Sequence, residues 1–265
     1  MWCDAGEETA LRSGTERRVC LLTGAGGVLG DTFCRGLYTG YDIIAVCRNR
    51  TPAAPSQLEW FVDPFEPEMP VPENDSRIFV IKADLTEAGE VERVVDIALA
   101  RFGQIDLLVN NAAHSRFQPR GIVDGDAALD EFDPHFAVNV GVPLRLSARL
   151  AQRSWVHAGD ENRARNRNIV NVSSIAGSRV YPGGQALYAA SKAALNHLTR
   201  HIAAEFEEFG VRANAIAPDD FPATVSTEQV VRAIVELDRG AMSGEVFTVG
   251  VAAEGGRHAL GADAH

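Results

Sequence analysis

Lysine is almost missing from this chain. Of 25 basic residues only Lys82 and Lys192 are lysines. Positive charge is written as arginine, so each lysine is a candidate for a position where a planar fork will not serve. Long apolar runs are missing too. None reaches the roughly 20 residues of a membrane span, and Met1 to Arg18 lacks the apolar core of a secretory signal. Residence in the cytoplasm is therefore expected. Basic excess is absent: the net charge is -11. Such a surface repels phosphate backbones and anionic lipid, which argues against nucleic acid and membranes as partners. Cysteine is scarce. Cys3, Cys20, Cys34 and Cys47 show no CxxC spacing, so neither a zinc site nor a disulfide framework is expected. Reduced, partly buried thiols are the simpler reading, and no metal is expected.

What is present is alternation. Short apolar runs at Val19–Leu22, Ile43–Val46, Ile78–Ile81, Leu107–Val109, Ile169–Val172, Ala213–Ala217 and Val246–Val249 read as strands. Helical patterns fill the gaps at Leu29–Tyr38, Glu90–Arg101, Phe132–Trp155 and Tyr188–Phe209. Gly210 stops the last of these. Ser226 with Gln229 forms a capping box for a further helix through Leu237. Uninterrupted apolar strands between helices imply a parallel sheet covered on both faces. Right-handed crossovers make that a doubly wound, Rossmann-type α/β domain of seven strands. The expected division is a flexible tail over 1–17, one catalytic domain over 18–250 and a C-terminal tail over 251–265. Two segments read as irregular. Residues 51–74 carry six prolines, which exclude a long helix and suggest a surface elaboration or contact patch. Gly159–Asn168 reads as a solvated, Arg-rich loop.

Thr23-Gly24-Ala25-Gly26-Gly27-Val28-Leu29-Gly30 joins the first strand to the first helix. Glycines there allow a tight turn and let a pyrophosphate approach the helix N-terminus. The second strand ends Arg48-Asn49-Arg50, with no acid. In a Rossmann domain an acid at this point suits the NAD ribose, whereas a guanidinium suits a 2′-phosphate. NADP(H) is thus favoured over NAD(H), the alternative being that Arg48 and Arg50 are plain surface charges. Asp84-Leu85 ends the third strand, where the acid can accept from an adenine amino group or cap a turn. Asn110-Asn111-Ala112-Ala113 ends the fourth, and its amides can bridge neighbouring strands under the cofactor.

Tyr188 and Lys192 stand at i and i+4, on one face of a helix. A free phenol has a pKa of about 10. A nearby cation favours the phenolate, which makes Tyr188 a usable general acid or base. A buried Tyr and a snorkelling Lys are the bland alternative. Ser173-Ser174 follow the fifth strand, where a hydroxyl can hold a substrate oxygen. Asn139 is polar among apolar neighbours; it holds a water or bonds to backbone.

Taken in order, these residues resemble the short-chain dehydrogenase/reductase family, from about Arg18 to Gly250. The resemblance implies a tetrad of Asn139, Ser174, Tyr188 and Lys192. Tyr188 would exchange the proton, Ser174 would orient the substrate oxygen, Lys192 would tune Tyr188, and Asn139 would complete a proton relay through water. It also implies cofactor contacts at Gly24, Gly26, Gly27, Val28, Leu29, Gly30, Arg48, Asp84, Leu85, Asn111, Ala112, Tyr188, Lys192 and Pro218. Homodimers or homotetramers through the two long helices are implied as well. Departures are visible. Val28 stands where the family has Gly, and Gly24, Gly27 and Gly30 follow the spacing of its extended branch. Ala113 replaces a Gly, and Asp219 replaces the Gly after Pro218. The substrate lid is shortened to the few residues before Ser226. His114 either lines the pocket or is a satisfied structural residue.

The expected activity is hydride transfer between NADP(H) and a carbonyl or alcohol on a small-molecule or carrier-bound substrate. A redox-neutral dehydratase, epimerase or cyclase on the same scaffold is the alternative. A non-enzymatic NADP-binding sensor ranks last, since it has no use for Tyr188 and Lys192.

Overall fold

Seven apolar strands separated by helices assemble into one parallel sheet in the computed structural model, which describes residues 17–37, 40–58, 77–181 and 183–250. β1 (Arg18–Thr23) runs into α1 (Val28–Leu37); β2 (Tyr41–Cys47), β3 (Ile78–Lys82), α2 (Glu90–Phe102) and β4 (Leu107–Asn110) follow. Next come α3 (Asp126–Leu129), α4 (Phe132–Phe136), α5 (Val142–Leu150), α6 (Gly159–Ala164) and β5 (Asn168–Val172). α7 (Ala186–Phe206), β6 (Arg212–Pro218), α8 (Thr227–Arg239) and β7 (Val246–Val249) complete the order.

The strand order is β3-β2-β1-β4-β5-β6-β7. The order in which strands are added reverses at β1, which pairs with β2 on one side and β4 on the other. A crevice at the C-terminal ends of β1 and β4 results, the place where such sheets take ligands. Side chains alternate across the sheet. Cys20 and Leu22 join the core under α1 and α8, while Val19 and Leu21 join the core under α2, α5 and α7. Cys20, Cys34 and Cys47 are free and buried, as the thiol reading expects. Burial pushes Cys34 up to about 12.

Three local outcomes bear on the site. The helix read over Phe132–Trp155 is helical throughout, but π turns occupy Ala137–Gly141 and Ala151–Trp155. Asn139 is the middle residue of the first, and single π turns inside helices often mark functional positions. The helix of Tyr188 starts at Ala186 and ends at Phe206, and the chain turns at Gly210 with φ +75°. Ser226 and Gln229 exchange both bonds of the capping box. The link from β6 to α8 covers only 219–226, so the lid is short.

The reading of Gly159–Asn168 as a solvated loop is wrong. α6 lies within it, and Arg167 is buried against Asn162, Glu161 and Asp106. Arg165 donates to Asp106 at 2.6 Å. A short helix with charges on every side has no apolar period to read. All of the proline-rich stretch after residue 58 lies outside the described residues, as do Cys3, Tyr38 and the tails 1–16 and 251–265. In the described part, Gln57 donates to the Val80 carbonyl at 2.7 Å and accepts from the Val80 N–H at 2.8 Å. Its amide covers the open edge of β3 as a neighbouring strand would.

Candidate active site

The Gly-rich loop is built by packing. Gly24 sits at φ +65°, and a Cβ there would lie 2.9 Å from the Ala112 Cα. At Gly26 an added Cβ would meet the Arg50 carbonyl oxygen at 1.7 Å; at Gly30 it would meet the Gly24 oxygen at 2.5 Å. Arg50 also donates its Nε to the Gly26 carbonyl. The loop and the end of β2 are therefore in main-chain contact, and only glycine allows it. Gly27 closes a turn onto Gly24 at 2.9 Å. Val28, exposed, opens α1, whose leading N–H groups have no acceptor within the helix. Such a terminus suits an anion.

Of the two arginines after β2, Arg50 is committed to the loop. Arg48 remains exposed and lies 3.5 Å from Asp84. Asp84 itself caps the turn at Thr86, accepting from its N–H at 3.0 Å and its hydroxyl at 2.6 Å. Those bonds hold its carboxyl below the usual range. Leu85 is buried, and its carbonyl accepts from Arg145 at 2.8 Å.

The asparagine pair bridges strands as expected. Asn110 donates to Asn171 on β5 at 2.8 Å. Asn111 donates to the carbonyls of Thr23 and Gly24 at 3.0 and 3.1 Å. The Thr23 hydroxyl accepts from both Asn111 N–H and Ala112 N–H at 2.9 Å. Thr23 thus locks β1 to the end of β4, a role that an apolar-run reading of β1 overlooks.

Ser174, Tyr188 and Lys192 meet beyond the end of β5. The Ser174 hydroxyl accepts from Ala176 N–H at 3.2 Å and lies close enough to the Tyr188 phenol to oppose its upward shift. Lys192 is buried, donates to the Val172 carbonyl at 2.9 Å, and stands 5.6 Å from the centre of the Tyr188 ring. Burial brings it down to about 8. The expected lowering of Tyr188 by Lys192 is not found. Burial pushes the phenol up, and the opposing influence is the Ser174 hydroxyl. Asn139 is buried and bonds to main chain. Its Oδ1 accepts from His114 N–H at 2.8 Å, and its Nδ2 donates to the His114 carbonyl at 2.9 Å and to Ser191 Oγ at 2.9 Å. Ser191 in turn donates to the Tyr188 carbonyl at 2.7 Å. Asn139 therefore ties the loop after β4 to the helix that carries Tyr188.

Phe117 and the partners of Asp219 and His114 were not read from the sequence. Phe117 meets the Tyr188 ring edge-on at 5.9 Å and is half exposed. The segment behind it is fastened by Gln118 N–H on the Gly184 carbonyl at 3.2 Å. Phe117 lay in a stretch without periodicity, and only its aromatic character in a polar run could have pointed to it. Pro218 ends β6, and Asp219 receives Tyr181 at 3.4 Å and Arg179 at 3.8 Å. His114 pairs with Glu131 at 2.7 Å; neither reading of His114 anticipated Glu131.

Comparison with known proteins agrees with this arrangement. The short chain dehydrogenase family profile matches residues 18–233. A hydroxynaphthalene reductase-like protein Arp2 of Metarhizium brunneum is 31% identical over 201 residues, 76% of this chain and 67% of that protein. Protein FixR of Bradyrhizobium diazoefficiens is 34% identical over 211 residues, 77% of this chain and 67% of that one. Among solved structures, an oxidoreductase of the short-chain dehydrogenase/reductase family from Brucella ovis, in complex with a partially ordered NAD, superposes with a TM-score of 0.64 at 28% identity. That match covers 88% of this chain and 100% of the other. With the sheet order, the glycine loop and the strand-end residues on the same frame, the chain belongs to the short-chain dehydrogenase/reductase family.

Proposed function

We propose that this protein is an NADP(H)-dependent oxidoreductase interconverting a carbonyl and an alcohol, with Tyr188 as the proton donor and acceptor. The observation that carries the reading is the meeting of Tyr188, Ser174 and Lys192 at the end of β5. Gly24, Gly26, Gly27, Val28, Leu29 and Gly30 would hold the pyrophosphate, with Asp84, Leu85, Asn111 and Ala112 beside the adenosine and Pro218 at the nicotinamide end. A bound nicotinamide supplies or takes the hydride. Ser174 presents a hydroxyl to the substrate oxygen, and Tyr188 gives that oxygen a proton or takes one back. Lys192 keeps a cation beside the ring and has only a main-chain carbonyl to release before it can meet a cofactor hydroxyl. Asn139 has its side chain committed to His114 and Ser191, so its part in a proton relay runs through the main chain of the π turn.

Preference for NADP(H) rests on Arg48, an exposed guanidinium at the end of β2 whose partner Asp84 already has Thr86. A 2′-phosphate would offer Arg48 a bidentate acceptor. The relative from Brucella ovis bound NAD, which makes this preference the finer point to test. The 219–226 link is short, and this suits a bulky or carrier-bound carbonyl. We further place the protein in the cytoplasm; assembly as a homodimer or homotetramer is supported by Leu144, exposed on the 132–155 helix, and Val156, exposed just past its end.

Fluorescence titration with NADPH and NADH, followed by absorbance assays on a panel of ketones, tests the reading. Preferential NADPH binding is expected, with turnover that disappears in Tyr188→Phe. Binding of neither nucleotide overturns the cofactor assignment. Tight binding without turnover of any ketone moves the weight to a redox-neutral reaction on the same scaffold.

A further inference from the structure

His114, Glu131 and His135 converge beside the loop that follows β4. His114 Nε2 lies 2.7 Å from Glu131 Oε2. The two imidazoles meet edge to face with centroids 4.6 Å apart. One potential donor atom from each of the three side chains lies within 4.8 Å of the other two. Glu131 and His135, at i and i+4, share one face at the start of α4.

The hydrogen positions suit a ligand at His135, whereas His114 Nε2 now donates to Glu131 and must pass its hydrogen to Nδ1 before it can bind an ion. His135 is fully buried, and its Nδ1 lies 2.7 Å from the Glu131 carbonyl. A carbonyl only accepts, so Nδ1 carries the hydrogen and Nε2 keeps the lone pair. Metal-bound imidazoles are held in this way, with the second ring N–H given to main chain or carboxylate. The His135 Nε2 lone pair accepts the Arg116 N–H at 3.3 Å, a contact an ion would have to replace, and the His135 nitrogen nearest the Glu131 carboxylate is Nδ1, at 4.0 Å. The Glu131 carboxylate has His114 Nε2 at 2.7 Å on one oxygen and the Arg116 guanidinium on the other. Arg116 supplies the present countercharge at 3.0 Å from Glu131 Oε1, and its side chain is 72% exposed. An exposed guanidinium can swing into water at little cost.

We propose that His114, Glu131 and His135 form a binding site for a borderline divalent cation of the zinc class. Two imidazoles and a carboxylate are a known zinc donor set, one that leaves a fourth position for water. Calcium and magnesium, which prefer oxygen donors, fit it poorly. Zinc bonds of 2.0–2.1 Å put tetrahedral ligands about 3.4 Å apart, so the cluster must contract. The half-buried His114 ring is the member free to move inward. Because the His114 main chain is clamped by Asn139 at both N–H and carbonyl, an ion here stiffens the connection between the loop after β4 and the π turn. This site does not depend on the oxidoreductase reading.

The test uses the full chain stripped of metal with a chelator and then titrated with Zn²⁺ against a chromophoric competitor. A second candidate chelate has to be removed: His197 and His201, exposed on α7, have their Nε2 atoms 3.2 Å apart. A His197→Ala/His201→Ala background isolates the buried cluster. In that background a single equivalent of Zn²⁺ is expected to bind. Its affinity should fall by about tenfold or more in His114→Ala and in Glu131→Gln, with the far-ultraviolet circular dichroism unchanged. Zn²⁺ should raise the melting temperature of the background protein but not of its His114→Ala derivative, and Co²⁺ should give a tetrahedral visible spectrum. Loss of all binding in the background protein, or affinity unaffected by His114→Ala, overturns the proposal.

Discussion

The Lys192 ammonium donates to the carbonyl of Val172 at 2.9 Å while standing 5.6 Å from the centre of the Tyr188 ring. The lysine is therefore held by the end of β5, which fixes it beside the phenol without a bond to it. Burial lowers its value from 10.5 to about 8.

A depressed lysine has a definite stability signature. Between about 8 and 10.5 the unfolded chain binds the proton more tightly than the folded one, so this group's contribution to stability rises with pH across that window. Below it, folding keeps a buried charge at a cost of roughly 3 kcal/mol. Lys192→Met removes the cost. The variant should gain stability over the parent near pH 7, and the gain should vanish by about pH 10.5. Urea denaturation of both proteins at the two ends of the window checks this. A gap of constant size would mean that Lys192 is not buried as described.

Ser174 is the group that opposes burial at Tyr188. Ser174→Ala should therefore push the phenol further up, and Ser174→Thr should restore it. The readout is phenolate absorbance against pH, with Tyr188→Phe subtracted to remove the other tyrosines. If the reaction uses Tyr188 as an acid or base, activity of Ser174→Ala should fall about 10²-fold or more, with nucleotide affinity unchanged. An unshifted phenol in Ser174→Ala would place the hydroxyls out of contact.

The strands were legible because buried parallel strands are continuous apolar runs, and Tyr188, Lys192 and the glycine loop were legible because helix and turn geometry impose fixed spacings. Ser174 and Asn139 could be located but not given partners, since the bonds of Asn139 reach His114, 25 residues away. Phe117 and Glu131 lie in stretches without periodicity, and their contacts exist only after the loop after β4 folds against α4 and α7. The same limit hid the His114–Glu131–His135 cluster, because the expectation of no metal rested on cysteine spacing. In 159–168 the reading failed outright, since arginines that look solvated in sequence are drawn inward by Asp106.

Arg48 and Arg50 look equivalent in sequence but differ in commitment. Arg50 holds the Gly26 carbonyl, whereas Arg48 is exposed and within 3.5 Å of Asp84. Arg48→Ala should weaken NADPH binding about tenfold or more, the worth of one charge-assisted contact, and leave NADH binding unchanged. Arg50→Ala should weaken both nucleotides, because it disturbs the loop. Equal losses for the two nucleotides in Arg48→Ala would remove the ground for an NADP(H) preference.

Asp106 anchors the opposite end of the sheet. It is fully buried, accepts Val19 N–H at 2.9 Å and Arg165 Nε at 2.6 Å, and has Arg167 at 3.7 Å. Burial alone would raise its carboxyl, but the Arg165 and Val19 hydrogen bonds and the nearby guanidiniums outweigh it and hold the value low. Its stabilising contribution is therefore complete above the usual aspartate range and is lost as pH falls through the lowered value. Asp106→Asn removes the carboxylate that Arg165 is bonded to and that faces the buried Arg167, and should cost about 3–5 kcal/mol. Urea midpoints at neutral pH should show that loss, and the gap between the two proteins should narrow below about pH 4. Because this network lies at the N-terminal ends of β1, β4 and β5, nucleotide affinity of the folded variant should match the parent. A variant as stable as the parent would mean that Arg165 and Arg167 find other acceptors, and that 159–168 behaves as a solvated loop after all.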